Sequence, residues 1–211
     1  MSHILVMGAS SGIGLETTKL ALERGHRVRA FARTASDMEL DHPDLEKFSG
    51  DALDEASVND ALSDVDAVAQ CLGVKLEPST VLKGTELFSA STRILIPAMQ
   101  AQNVKRLVVV TGYGAGDSGK HMNPFNRLGF NAVFARIYAD KGTQETLIKE
   151  SDLDWTIARP VVLTGGQRSN YKVRSDPADY RMGIISRGSV ADFLVGEIEA
   201  PQYIHKAPVL N

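Results

Sequence analysis

Several things are scarce in this chain, and each scarcity excludes a class of protein. Cysteine occurs once, at Cys71, so no internal disulfide can form and a reducing compartment is expected. No apolar run is long enough to span a bilayer. The N-terminus enters a strand-like run almost at once, which predicts no signal peptide and a cytoplasmic protein. Positive charge is not in excess. The formal net charge is −3, which gives no electrostatic case for nucleic acid or an anionic membrane surface. The five histidines, His3, His26, His42, His121 and His205, lack metal-ligand spacing, so no metal site is expected. Gly-x-Ser-x-Gly, Cys-x-x-Cys and His-Glu-x-x-His are all missing. Repeats and low-complexity tracts are missing too.

What is present is one α/β pattern. The 211 residues, 43% of them hydrophobic, suffice for one sizeable core. The organising stretch is Ile4-Leu5-Val6-Met7-Gly8-Ala9-Ser10-Ser11-Gly12-Ile13-Gly14. An apolar run of strand length meets three glycines, and Leu15 to Arg24 then reads as helix. Unpaired N–H groups at such a helix start favour a diphosphate. The spacing Gly-x-x-x-Gly-x-Gly fits the Gly-x-Gly-x-x-Gly fingerprint only loosely. A second strand, Val28 to Ala32, ends at Arg33-Thr34. In a dinucleotide fold that end lies beside the adenosine ribose, where a carboxylate would select NAD. No Asp or Glu stands between Val28 and Ser36. Arg33 offers a guanidinium fork and Thr34 a hydroxyl, so NADP(H) is expected in preference to NAD(H). The alternative for Arg33 is a solvated surface cation.

Further strands are predicted at Leu45–Ser49, Asp66–Leu72, Arg106–Thr111 and Trp155–Arg159, with an edge strand at Ala207–Leu210 and a short one at Tyr171–Val173. Leu72 and Gly73 stand at the carboxyl end of the fourth strand, where open α/β sheets bind ligands. Cys71 reads as inert core. A helix is predicted over Gly84–Asn103, with Leu87, Ala90, Ile94, Ala98 and Ala101 on its buried stripe and a bend at Pro97. Residues 114–129 read as a Gly/Asn/Pro loop, to which Met122, Phe125 and Phe130 give apolar surface for a lid. Asn131–Glu150 reads as helix, with Lys141 interrupting the stripe of Phe134, Ile137, Thr143 or Gln144, and Ile148. Its ordinary explanation is a lysine paired with Glu145 at i+4. A last helix starts near Arg187, with Ser189 as its cap.

Gly8 to Gly14 resembles the cofactor loop of the short-chain dehydrogenase/reductase superfamily. Gly50-Asp51-Ala52-Leu53-Asp54, Thr111 to Ser118, and Leu153-Asp154-Trp155-Thr156-Ile157-Ala158-Arg159-Pro160 resemble its atypical, NmrA-like branch, which includes the biliverdin-IXβ/flavin reductases. The resemblance implies a single Rossmann domain over 1–211, a doubly wound parallel sheet with helices on both faces. It implies cofactor contacts from Gly8, Ser10, Ser11, Gly12, Ile13, Gly14, Asp51, Ala52, Leu72, Gly73, Pro160, Val161 and Val162. Substrate loops are expected at about 113–129 and 163–175. Lys141 matches the lysine of the superfamily's Tyr-x-x-x-Lys, which holds the nicotinamide ribose. The tyrosine position is Ile137, which has no proton to give; Tyr138 is one residue off, about 100° round the helix. Thr111 is the hydroxyl closest to the usual catalytic serine, and Tyr113 could supply a phenol or only a pocket wall. The expected activity is NADPH-dependent hydride transfer to a small conjugated acceptor: flavin, quinone or tetrapyrrole. Two alternatives stand beside it, a non-catalytic NADP(H)-binding redox sensor and a nucleotide-sugar epimerase or dehydratase. The oligomeric state, monomer or dimer, is left open.

Overall fold

The computed structural model describes residues 1–75, 77–122 and 124–211, with the side chains at 79 and 124–133 outside that description. The chain runs β1 (His3–Met7), α1 (Gly12–Glu23), β2 (Arg27–Ala32), β3 (Leu45–Ser49), α2 (Glu55–Ala61), β4 (Ala67–Gln70), α3 (Pro78–Lys83), α4 (Leu87–Ala101), β5 (Arg106–Val110), α5 (Pro124–Lys149), β6 (Asp154–Pro160), β7 (Val162–Thr164), β8 (Val173–Arg174), β9 (Ile184–Ser186), α6 (Arg187–Glu199) and β10 (Val209–Leu210). Eight strands form one sheet in the order β3-β2-β1-β4-β5-β6-β10-β8, and β7 pairs with β9 in a second. Every pair in the large sheet is parallel except β10 with β8.

Parallel strands covered on both faces need apolar side chains at every position, and β1 supplies them. Ile4 and Val6 enter the core beneath α1 and α6, while Leu5 and Met7 enter the opposite core beneath α2 and α4. β5 divides in the same way, Val108 and Val110 on one side, Leu107 and Val109 on the other. This is the doubly wound Rossmann architecture. The strand order reverses between β1 and β4, so a crevice opens at their carboxyl ends, where such sheets bind ligands.

The structure corrects several expectations. β10 is not the edge: β8 returns antiparallel beyond it, so Pro208 lies just before a covered strand. The expected Gly84–Asn103 helix is α4 alone, Leu87–Ala101, with the separate short α3 ending before it at Lys83, and of the expected stripe only Ala98 is buried. The buried face of α4 is Phe88, Ser89, Ser91, Thr92, Leu95, Ala98 and Met99, whose polar members are hydrogen-bonded inside. The loop expected over 114–129 contains a 3-10 turn at Gly116–His121, and α5 already begins at Pro124. Met122 is buried; the expected lid contributions of Phe125 and Phe130 lie outside the described side chains. The cap of α6 is Ser186, whose side chain accepts from the N–H of Ser189. Among the described residues, no helix is long and apolar enough to cross a membrane.

Candidate cofactor site

The phosphate loop is built by close packing. The N–H groups of Gly8 and Ala9 both donate to the Phe31 carbonyl, at 2.8 and 3.3 Å. Gly8 has φ +82°, and a Cβ there would lie 2.8 Å from the Cys71 carbonyl oxygen. A Cβ at Gly14 would lie 2.2 Å from the Gly8 carbonyl oxygen. Gly12, at φ +59°, meets nothing within 3.4 Å; only the Arg187 guanidinium comes near, at 3.9 Å. Two glycines therefore lock the turn, and the third faces open space. That space is a cleft of about 470 Å³ lined by Ser11, Gly12, Glu16, Gly165, Gly166 and Arg187. Ser11, the N-cap of α1, makes no side-chain cap. The cradle fits a dinucleotide: a bare backbone turn at a helix start, with a cleft above it.

The other candidate residues stand along the same sheet edge. Arg33 and Thr34 follow β2 and are exposed, and among the described residues the Arg33 guanidinium has no hydrogen bond or ion pair. Asp51 follows β3, where its carboxylate accepts from the Leu53 N–H at 3.0 Å; Asp54 caps α2. Ala52 is buried, Leu72 half-buried and Gly73 exposed with open space around it. Cys71, one residue beyond β4, is buried, and burial pushes its thiol up to about 12, so it stays protonated. Ser10 and Ile13 belong to the phosphate turn, Ile13 buried. Pro160 ends β6, Val161 is buried and Val162 exposed.

Lys141 reaches the end of β5 from α5. Its Nζ donates to the carbonyl of Thr111 at 3.0 Å and sits 4.1 Å from the centre of the Phe88 ring. Burial pulls its amine down to about 8 against the opposing pull of Glu145, Asp140 and Cys71. Ile137 is buried. Tyr138 lies one residue round, yet its long side chain leans back: a Cβ at Gly112 would meet its phenol oxygen at 2.5 Å. Burial pushes the Tyr138 phenol up to about 12. Tyr113 is buried; its hydroxyl donates to the His121 carbonyl at 3.1 Å and its ring packs edge-on to Tyr180. Burial, then Tyr180, raise its pKa. The structure thus brings Thr111, Tyr113, Tyr138 and Lys141 to one strand end.

Thr111 is tied from below. Its hydroxyl donates to Glu145 Oε1 at 2.8 Å. Glu145 also accepts from Arg159 at 3.0 and 2.5 Å, and Arg159 reaches Asp117 at 2.6 Å. Both side chains of the Glu145–Arg159 pair are 1% exposed. Lys149, and not Lys141, is the lysine paired with Glu145, at 3.5 Å.

The family profile described as NAD(P)H-binding matches residues 8–201. The chain belongs to that NAD(P)H-binding family. Among curated proteins it is similar to sterol demethylase protein B of Methylococcus capsulatus, 28% identical over 93% of this chain and 58% of that one. It is also similar to protein TIC 62 of Arabidopsis thaliana, 25% identical over 74% of this chain and 26% of that one. The chain therefore spans little more than half of the first and about a quarter of the second. Among solved structures, an anaerobilin reductase of Escherichia coli O157:H7 superposes with a TM-score of 0.81 at 22% identity, covering 99% and 96% of the two chains. A short-chain dehydrogenase/reductase of Veillonella parvula in complex with NADP gives 0.84 at 16% identity, covering 100% and 94%. At these identities the two structures share the fold.

Two residues of this NAD(P)H-binding domain carry more of the site than their sequence context announced. Glu145 read as a surface partner for Lys141, yet it is the buried hub beneath Thr111. Arg187 read only as a helix start, yet it lines the cleft over Gly12. The spacing of Arg159, Glu145 and Thr111 along the chain carries no periodic signal that would bring them together.

Proposed function

We propose that the chain is an NADPH-dependent reductase acting on a small conjugated acceptor: a flavin, a quinone or a tetrapyrrole. One observation carries this reading. Lys141 is held at the carboxyl end of β5, where it can hold the nicotinamide ribose, while Ile137 fills the acid position with an apolar group. The site is therefore equipped to orient a hydride donor, while the two phenols near it, Tyr113 and Tyr138, stand outside the Tyr-x-x-x-Lys position and are held protonated by burial. The bound nicotinamide would supply the hydride. Thr111 and Lys141 fix the ribose end. Arg33, with no Asp or Glu between Val28 and Ser36, supports the preference for the 2′-phosphate.

An acceptor that takes two electrons as hydride and its proton from water suits this equipment. β7 and β9 add a surface for it. Val162, two residues after Pro160, is paired in register with Ile184, and the two are 53% and 71% exposed. Such adjacent exposed aliphatic side chains beside a reactive centre favour a flat apolar face.

The test is NADPH oxidation with FMN, dichlorophenolindophenol, a quinone and biliverdin as acceptors. Turnover with at least one, and faster with NADPH than NADH, is expected. Tight NADPH binding without turnover on any of them would instead make the protein a redox sensor.

A further inference from the structure

Arg187 stands on the far side of the cleft from the phosphate loop. Among the described residues its guanidinium makes no hydrogen bond and no ion pair. Its Nε comes within 3.9 Å of where a Cβ on Gly12 would be. Guanidinium groups so placed, half-buried over a bare backbone turn, match phosphate oxygens in shape and charge.

The backbone behind Arg187 is fixed. Ser186 Oγ donates to the Gln167 carbonyl at 2.7 Å, and the Ser169 N–H donates to Ser189 Oγ at 2.9 Å. The Gly188 N–H donates to the Gly166 carbonyl at 3.3 Å. A Cβ at Gly188 would lie 2.6 Å from the Arg168 nitrogen, so only glycine permits this approach. Residues 166–169 are thereby stitched to the start of α6, and Gly165–Gly166 with Arg187 form a second wall facing Ser11 and Gly12. The one acid on the cleft, Glu16, is paired with Lys19 at 3.5 Å.

We propose that Arg187 is a binding residue for the diphosphate of the dinucleotide, closing over it from the wall opposite the glycine turn. This rests on the cofactor reading above. It also assigns Gly165–Gly166 of the 163–175 loop to the cofactor, while β7 and β9 on either side of that wall are left for the acceptor.

Direct titration of the whole protein with NADPH and with NADH, followed by calorimetry, tests the assignment without any acceptor. The diphosphate is common to both cofactors. Arg187→Ala should therefore weaken both by a similar factor, roughly tenfold or more for a charge-assisted contact. Arg187→Lys should recover part of the loss, and Glu16→Gln should tighten both slightly. The thermal midpoint of Arg187→Ala should not move, since the side chain bonds to nothing among the described residues. Affinities unchanged within twofold in Arg187→Ala, while Gly12→Val abolishes binding, would overturn the role of Arg187 and leave the cofactor reading standing. A loss confined to NADPH would also overturn it, by placing Arg187 at the 2′-phosphate. A wild-type protein that binds neither cofactor would overturn the underlying reading itself.

Discussion

Lys141 carries its charge where charge is disfavoured, and this has a measurable consequence. Its pKa falls from about 10.5 in an unfolded chain to about 8 here. Between those values the unfolded chain holds the proton and the folded protein has released it. Stability must then rise with pH across that interval. The tyrosines act oppositely from about pH 10, because Tyr113, Tyr138 and Tyr180 keep their protons longer in the folded state. The window for Lys141 is thus about pH 8 to 10. Denaturant unfolding of the wild type and Lys141→Met across this range should show the wild type gaining stability relative to the variant; parallel profiles would mean that the amine is not desolvated. At Arg33 the expected effect is on cofactor choice. Arg33→Ala should cost about 1.5–3 kcal/mol of NADPH binding and little of NADH binding, as for one charge-assisted hydrogen bond. Equal losses for both cofactors would assign Arg33 elsewhere.

The β1–turn–α1 element separates two kinds of glycine. Gly14 is needed for packing, because a Cβ there strikes the Gly8 carbonyl, whereas Gly12 faces the cleft. Gly14→Ala should destabilise the protein by about 1–3 kcal/mol, the usual cost of overpacking. Gly12→Val should lose both cofactors while remaining folded, at the cost of a branched residue at positive φ. Circular dichroism and calorimetric titration of the two variants distinguish these outcomes. The same element was the most legible from sequence: β1 falls within a residue of its expected bounds, because an unbroken apolar run meets Gly8 there, and β2 and β3 do so as well. The faces of α4 and α5 were poorly legible. Ser91, Thr92, Gln144 and Gln70 bury polar groups against one another at 2.9–3.3 Å, and Asp140 accepts from the Phe88 N–H at 2.9 Å. Polar residues hydrogen-bonded inside the core erase the periodicity on which a helix face is read. The start of α5 was hidden for another reason: Pro124 sits at the first helical position, where proline is at home, amid residues that otherwise read as loop.

At the scale of the whole molecule, one buried ionic network joins the parts that the site depends on. Thr111 follows β5, Glu145 lies on α5, Arg159 on β6 and Asp117 in the 3-10 turn, and the network holds all four together. Lys141 bonds to the carbonyl of the same Thr111 whose hydroxyl Glu145 holds, so the network sets the height of the lysine at the sheet edge. The charges at its centre are dry and those at its rim are not: Asp117 is 51% exposed, while Glu145 and Arg159 are each 1% exposed. Removing a central partner strands the other charge. Glu145→Ala should cost about 3–5 kcal/mol of stability, whereas Asp117→Asn should cost about 1 kcal/mol or less, as for a surface pair. Replacing both central charges with apolar side chains of similar size removes the desolvation penalty along with the attraction. The double variant Glu145→Met, Arg159→Met should therefore be more stable than Glu145→Ala. It should still bind NADPH more weakly than wild type, because Thr111 and Lys141 lose their support. Urea unfolding of the single and double variants, with NADPH titrations of the same samples, measures both effects. Additive single losses, or a double variant with wild-type affinity, would show that the network stabilises the fold without positioning Lys141.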